Sequence, residues 1–142
     1  MAIWKRDQKL EELQAWNAGT AAERLGIEFT EIGDNWLSAR MPVDARTVQP
    51  FGILHGGASV LLAETVGSCA ANLCVDDDHS VCVGLDINAN HLRPANKGWV
   101  TATARPFHIG KSTQVWEIKI VDEARQLVCI ARLTMAVVAR SR

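Results

Sequence analysis

A surplus of positive charge is missing from this chain of 142 residues: 15 lysines and arginines stand against 16 aspartates and glutamates, for a formal net charge of -1. With no basic excess, neither nucleic acid nor an anionic membrane is an expected partner. The opening Met-Ala-Ile-Trp-Lys-Arg-Asp lacks the apolar run of a secretory signal. The longest apolar stretch, Leu54 to Val75, carries His55, Glu64 and Asn72, so a lipid-spanning helix is not expected either. Cysteine is scarce and unpatterned. Cys69, Cys74, Cys82 and Cys129 follow no metal-ligand spacing, and each lies in an apolar stretch. They read as free core thiols in a reducing cytoplasm, with neither metal nor cofactor expected. Repeats, low-complexity tracts and linkers are absent, which predicts one domain over residues 1–142. Also missing are a G-x-S-x-G elbow, an H-E-x-x-H helix and the βαβ alternation of a dinucleotide-binding sheet.

What is present has a clear order. Residues 7–18 carry an apolar stripe at helical spacing through Leu10, Leu13 and Ala15–Trp16. Residues 27–32 and 36–41 read as two strands around the turn Gly33-Asp34-Asn35. Residues 42–55 read as an ordered loop. Gly56-Gly57 then opens ASVLLAETVGSCAANLC, apolar or small on nearly every side of a helical wheel, which predicts a helix buried all round. Four strands follow at 81–91, 99–107, 113–121 and 127–138, read as a meander with a hairpin at Asn96-Lys97-Gly98. In the first of the four the odd positions, Val81 to Ala89, are apolar and predict the buried face. The last is apolar on both faces, which predicts a central place. One antiparallel sheet around one apolar helix, an α+β fold, satisfies these elements.

Within that helix Glu64 is the only Asp, Glu, Lys, Arg or His, and burying a carboxylate without a partner is costly. It is the leading candidate for general-base or nucleophilic chemistry. Ser68 follows by four residues and shares its helix face, so its hydroxyl can hold a water beside the carboxylate or bond back to the helix. At the helix start, Gln49 and His55 flank Gly56-Gly57, where unpaired backbone N–H groups and the helix dipole favour a developing oxyanion. Gly56 and Glu64 are separated by about 12 Å of helix axis, too far to act on one carbonyl. If both are catalytic, they come from two subunits. Arg93-Pro94 and the segment from His108 to Thr113 are loop-like, with a cation and free amides suited to phosphate, although ordinary turns have the same composition.

The segment QPFGILHGGASVLLAETVGSCAA resembles the hotdog-fold acyl-CoA thioesterases of the phenylacetate/4-hydroxybenzoyl-CoA thioesterase branch, above all in the spacing from His55-Gly56-Gly57 to Glu64. IWKR, MPVDARTVQPFG and GLDINANHLRP extend the likeness over almost the whole chain, toward a subgroup acting on aromatic acyl-CoA. The resemblance implies a long central helix wrapped by an antiparallel sheet of about six strands. It also implies homodimers that commonly pair into homotetramers, with sites across the dimer interface. Carried over, Glu64 is the catalytic carboxylate, the Gly56 amide polarises the thioester carbonyl, Gln49 and His55 contact or orient that carbonyl, and Ser68 places the attacking water. Gly84, His91, Leu92, Arg93 and Pro94 line the acyl or pantetheine path. His108, Ile109, Gly110, Lys111, Ser112 and Thr113 lie beside the CoA nucleotide. CoA is then part of the substrate, and an acyl-carrier protein is the other carrier to consider. A dehydratase or hydratase using His55 with Glu64, or an acyl-CoA-binding module without turnover, are the alternatives on the same fold.

Overall fold

In the computed structural model, which describes residues 1–141, two short helices, α1 (Leu10–Ala15) and α2 (Ala21–Arg24), precede strands β1 (Glu28–Ile32) and β2 (Leu37–Pro42). The long helix α3 (Gly56–Leu73) follows, and then β3 (Ser80–His91), β4 (Trp99–Ile109), β5 (Thr113–Val121) and β6 (Leu127–Ala139). The last residue of the expected domain, Arg142, lies outside the described residues. The helical stripe expected over 7–18 gives only α1, with turns beyond it, and α2 is an element the sequence did not announce.

All six strands form one antiparallel sheet in the order β1-β2-β4-β5-β6-β3. The turn at Gly33-Asp34-Asn35 closes β1 on β2 as expected, with Ile32 opposite Leu37. The four-strand meander is corrected. Only β4, β5 and β6 follow one another, while β3 pairs with β6 from Ser80–Ala139 to His91–Cys129. Asn96-Lys97-Gly98 is therefore no hairpin. After Pro94, whose ring cannot donate to a ladder, the chain crosses to the far side of the sheet. It is tied on the way by Leu54 N–H donating to Ala95 O at 2.7 Å and Val43 N–H to Gly98 O at 2.8 Å.

Helix α3 lies against β2 through β6. The approach is close because Gly67 faces Leu133 and Ile118; a Cβ there would meet their methyl carbons at 2.7 and 3.2 Å. Leu62, Val66 and Leu73 are wholly buried against a sheet face that includes Trp116, Ile118, Leu133 and Met135. Each such side chain contributes about 1.5–3 kcal/mol of transfer free energy. The helix C-terminus is held by Lys5 N–H donating to Leu73 O at 2.8 Å.

Two burial expectations fail for identifiable reasons. Helix α3 is not buried all round: Leu61, Glu64, Thr65, Ser68 and Asn72 form a half-exposed stripe at helical spacing, which the sheet of the same chain does not cover. In β3 the odd positions do not all face inward. A bulge between Gly84 and Asp86 reverses the alternation, so Cys82 is buried while Val83 and Leu85 are exposed, and Ile87 and Ala89 return to the inner side. Strand β6 does lie inside the sheet, between β5 and β3, but its outer residues Ile130 and Val138 are exposed rather than covered.

Candidate active site

The turn before α3 is built by the sequence from Gln49 to His55. Gly52 takes φ +82°, a conformation glycine adopts without strain. Its N–H donates to Gln49 O at 2.8 Å, and Gln49 N–H donates to Ile53 O at 2.9 Å. The Gln49 Oε1 accepts from Phe51 N–H, which commits the amide oxygen to the turn and leaves Nε2 as the end that can donate outward. His55 is the N-cap of α3: its Nδ1 accepts from Gly57 N–H at 2.8 Å. A neutral imidazole accepting through Nδ1 carries its proton on Nε2. Among the described residues Gly56 N–H has no acceptor, so one first-turn donor is left pointing out of the helix end.

That end opens into a cleft of about 410 Å³ lined by Gln49, Gly56, His91, Leu92, Arg93 and Pro94. Six sequence-predicted residues, from two separate stretches of chain, thus share one cleft. The contact that joins them is tight, since a Cβ on Gly56 would lie 3.0 Å from His91 Nε2.

Glu64 lies elsewhere. It is half-buried rather than sealed in the core, and among the described residues it makes no hydrogen bond or ion pair. Its carboxylate rests on Gly84, where the absent side chain leaves the strand flat; a Cβ there would overlap Glu64 Oε2. Two turns on, Asn72 clamps the helix to β3. Its Nδ2 donates to Ser68 O and Cys82 O at 2.9 and 3.2 Å, and its Oδ1 accepts from Cys82 N–H at 2.9 Å. The strand and helix therefore run together from Gly56–His91 past Glu64–Gly84 to Asn72–Cys82.

Beside this second centre runs a groove of about 620 Å³ along the uncovered stripe of α3, with Leu61, Thr65, Ser68 and Cys69 on one wall and Trp16 and Phe29 on the other. Of these, only Ser68 was marked by the sequence as a site residue. The remainder carry ordinary core chemistry and gain meaning only from the open stripe. The segment His108 to Thr113, expected as a loop, is strand at both ends: His108 and Ile109 close β4, Thr113 opens β5, and only Gly110, Lys111 and Ser112 form the turn. It sits toward the C-terminal end of α3, because the adjoining Gln114 donates to Ala71 O at 3.4 Å. Within one chain it is brought neither to the Gly56 cleft nor to Glu64.

The four thiols are buried and unpaired. Desolvation pushes Cys69 and Cys74 up to about 12 and Cys82 up to about 11, so none has the thiolate character of a nucleophile. No helix among the described residues is long and apolar enough to cross a membrane.

A long helix laid against a six-stranded antiparallel sheet, with a carboxylate mid-helix and a glycine amide free at its start, is the hotdog architecture of thioester hydrolases. Residues 51–129 match the family model described as the thioesterase superfamily, and the chain belongs to that family. The 1,4-dihydroxy-2-naphthoyl-CoA hydrolase of Escherichia coli strain K12 is 53% identical over 135 residues, covering 95% of this chain and 98% of that protein. The proofreading thioesterase EntH of Cronobacter turicensis is 51% identical over 135 residues, with 95% and 98% covered. Among solved structures, a thioesterase of Pseudomonas aeruginosa, crystallised as a glutamine-to-alanine variant, superimposes with a TM-score of 0.97 at 50% identity, over 98% of this chain and 100% of that one. The chain is a hotdog-fold thioester hydrolase.

Proposed function

We propose that this chain hydrolyses an acyl-CoA thioester, with an aromatic acyl group preferred, in sites shared between two subunits of a homodimer. The observation that carries the reading is the separation of the two centres. Gly56 N–H and Glu64 lie about 12 Å apart along one straight helix, and the Gly56 cleft does not reach Glu64. Two copies of α3 set antiparallel across a two-fold axis bring the Gly56 of each to the Glu64 of the other. The half-exposed stripe of α3 is the face left for that pairing.

In such a site Gly56 N–H donates to the thioester carbonyl oxygen, with Gln49 Nε2 and His55 Nε2–H beside it. A fixed donor aimed at a developing oxyanion contributes about 3 kcal/mol. Glu64 either takes the proton from a water held near Ser68, as general base, or attacks the carbonyl carbon itself. In the first case the C–O bond forms, the C–S bond breaks, and the departing thiolate recovers the proton, giving acid and free CoA. The acyl group lies in the groove beside Leu61, Thr65 and Ser68. Gly84, His91, Leu92, Arg93 and Pro94 flank the acyl or pantetheine path, and the turn from His108 to Thr113 offers Lys111 to the CoA phosphates. An acyl-carrier protein can present the same thioester. No further cofactor is required, and two dimers pairing into a tetramer is compatible with the scheme.

The test is Glu64→Gln, assayed for thiol release on benzoyl-CoA with folding and assembly checked by sedimentation. Turnover is expected to fall by about 10³-fold, the range of a lost general base. Turnover close to the unaltered protein in a folded dimer overturns the mechanism, and a monomeric active protein overturns the shared site.

A further inference from the structure

The turn that delivers Gly56 also carries the most exposed large ring in the chain. Phe51 is 89% exposed, at the tip of the tight loop between Gln49 and Leu54. The loop is rigid for its size. Besides its internal bonds, His55 N–H donates to Thr47 O at 2.8 Å and Leu54 N–H to Ala95 O at 2.7 Å, so Phe51 and Gly56 move as one body. Such exposure means that Phe51 touches almost nothing of its own chain, including its own α3. Yet if Gly56 reaches into a second subunit, Phe51 must go with it. There Leu61, Thr65 and Ser68, which share the open stripe of α3 with Glu64, line the groove whose other wall carries the apolar rings of Trp16 and Phe29.

We infer that Phe51 is a specificity-determining residue supplied in trans, its ring closing the acyl groove of the partner subunit. The occupant of the groove's open side is thus a second copy of this chain, through this one turn. A flat ring stacked over the groove favours flat acyl groups and leaves compact ones little affected. The inference rests on the shared site proposed above, and the experiment separates the two.

Phe51→Ala and the milder Phe51→Leu are assayed on benzoyl-CoA and acetyl-CoA. The ratio of the two kcat/KM values is expected to fall by about tenfold or more in Phe51→Ala, the scale of one lost apolar pocket contact. Phe51→Leu is expected to fall between, and it serves if Phe51→Ala does not fold. A mixed dimer is then made from differently tagged Glu64→Gln and Phe51→Ala chains. In trans, its one competent site pairs an intact Glu64 with an intact Phe51, and the mixed dimer shows half the activity with unaltered substrate preference. In cis, that site carries the alanine and shows the Phe51→Ala preference, which overturns the proposal while leaving the shared site standing. An unchanged ratio in both single variants overturns it equally. An active Glu64→Gln homodimer or an active monomer instead overturns the site on which the inference rests.

Discussion

Gly84→Ala is the sharpest test of how β3 supports Glu64. Gly84 does not have a positive φ, so alanine fits its backbone, and the substitution should leave stability within about 1 kcal/mol. The space is another matter. Real Cβ contacts do not fall below 3.0 Å, and the added methyl lies inside that limit from Glu64 Oε2. The neighbour is the free end of a flexible side chain, so the strand stays and the carboxylate gives way. Reaching ordinary contact at 3.4 Å displaces it by about 1 Å, and a misplacement of that size costs about 100-fold in turnover. The assay is thiol release from benzoyl-CoA followed with a thiol reagent, for which the buried cysteines, with pKa values pushed up to about 12 for Cys69 and Cys74, give little background. The expected result is a kcat loss of about 100-fold with an unaltered melting curve. A control sharpens it. In a Glu64→Asp background the shorter carboxylate clears the methyl, so Gly84→Ala should add almost nothing to the loss that Glu64→Asp causes alone. A folded Gly84→Ala protein with kcat within about threefold of the original refutes the reasoning, since either the carboxylate does not rest on Gly84 as described or Glu64 does not carry the role proposed for it.

Two further outcomes bear on the scaffold. Gly67→Val drives a branched side chain into Leu133 and Ile118 and should cost about 1–3 kcal/mol of stability in urea denaturation; an unchanged midpoint contradicts the close helix–sheet approach. His79 Nδ1 meets Asp76 Oδ2 at 2.8 Å, and this hydrogen bond raises the histidine pKa above 6.5 and holds the aspartate below 3.8. The histidine's contribution is complete below pH 6.5 and fades as the pH rises through its raised value, while the aspartate's is present above 3.8 and lost as the pH falls below it. A proton NMR titration should find the His79 pKa raised above 6.5 and lower in Asp76→Asn than in the unaltered protein; equal values in the two proteins contradict the pair.

Most elements were legible because their signals are local. Gly33-Asp34-Asn35 names its own turn, His55-Gly56-Gly57 marks a helix start, and the bounds of β5 (Thr113–Val121) were read to the residue. The distance between Gly56 and Glu64 follows from helix geometry alone, and with it the condition that the two act on one carbonyl only across two subunits. What escaped was non-local. No short motif says that β3 joins β6 rather than β4, because that pairing is set by residues 38 to 59 positions apart. The bulge after Gly84 undid a parity argument that was sound for an unbroken strand. The groove beside Ser68 was hidden for the opposite reason: Leu61, Thr65 and Cys69 look like core, and only the sheet's failure to cover them makes them a surface.

The pairing of β3 with β6 also orders events in time. Strand β3 is complete as soon as His91 has been synthesised, but the neighbour it pairs with in the sheet begins at Leu127, beyond two further strands. For that interval twelve residues of strand, with Val83 and Leu85 exposed, have no ladder to join. Closing so long a loop is entropically slow, so the edge strand that carries Gly84 beneath Glu64 is among the last pieces of the sheet to set. A nascent chain is therefore most open to aggregation between its third strand and its sixth, and the contact of Glu64 with Gly84 is fixed only with the sixth.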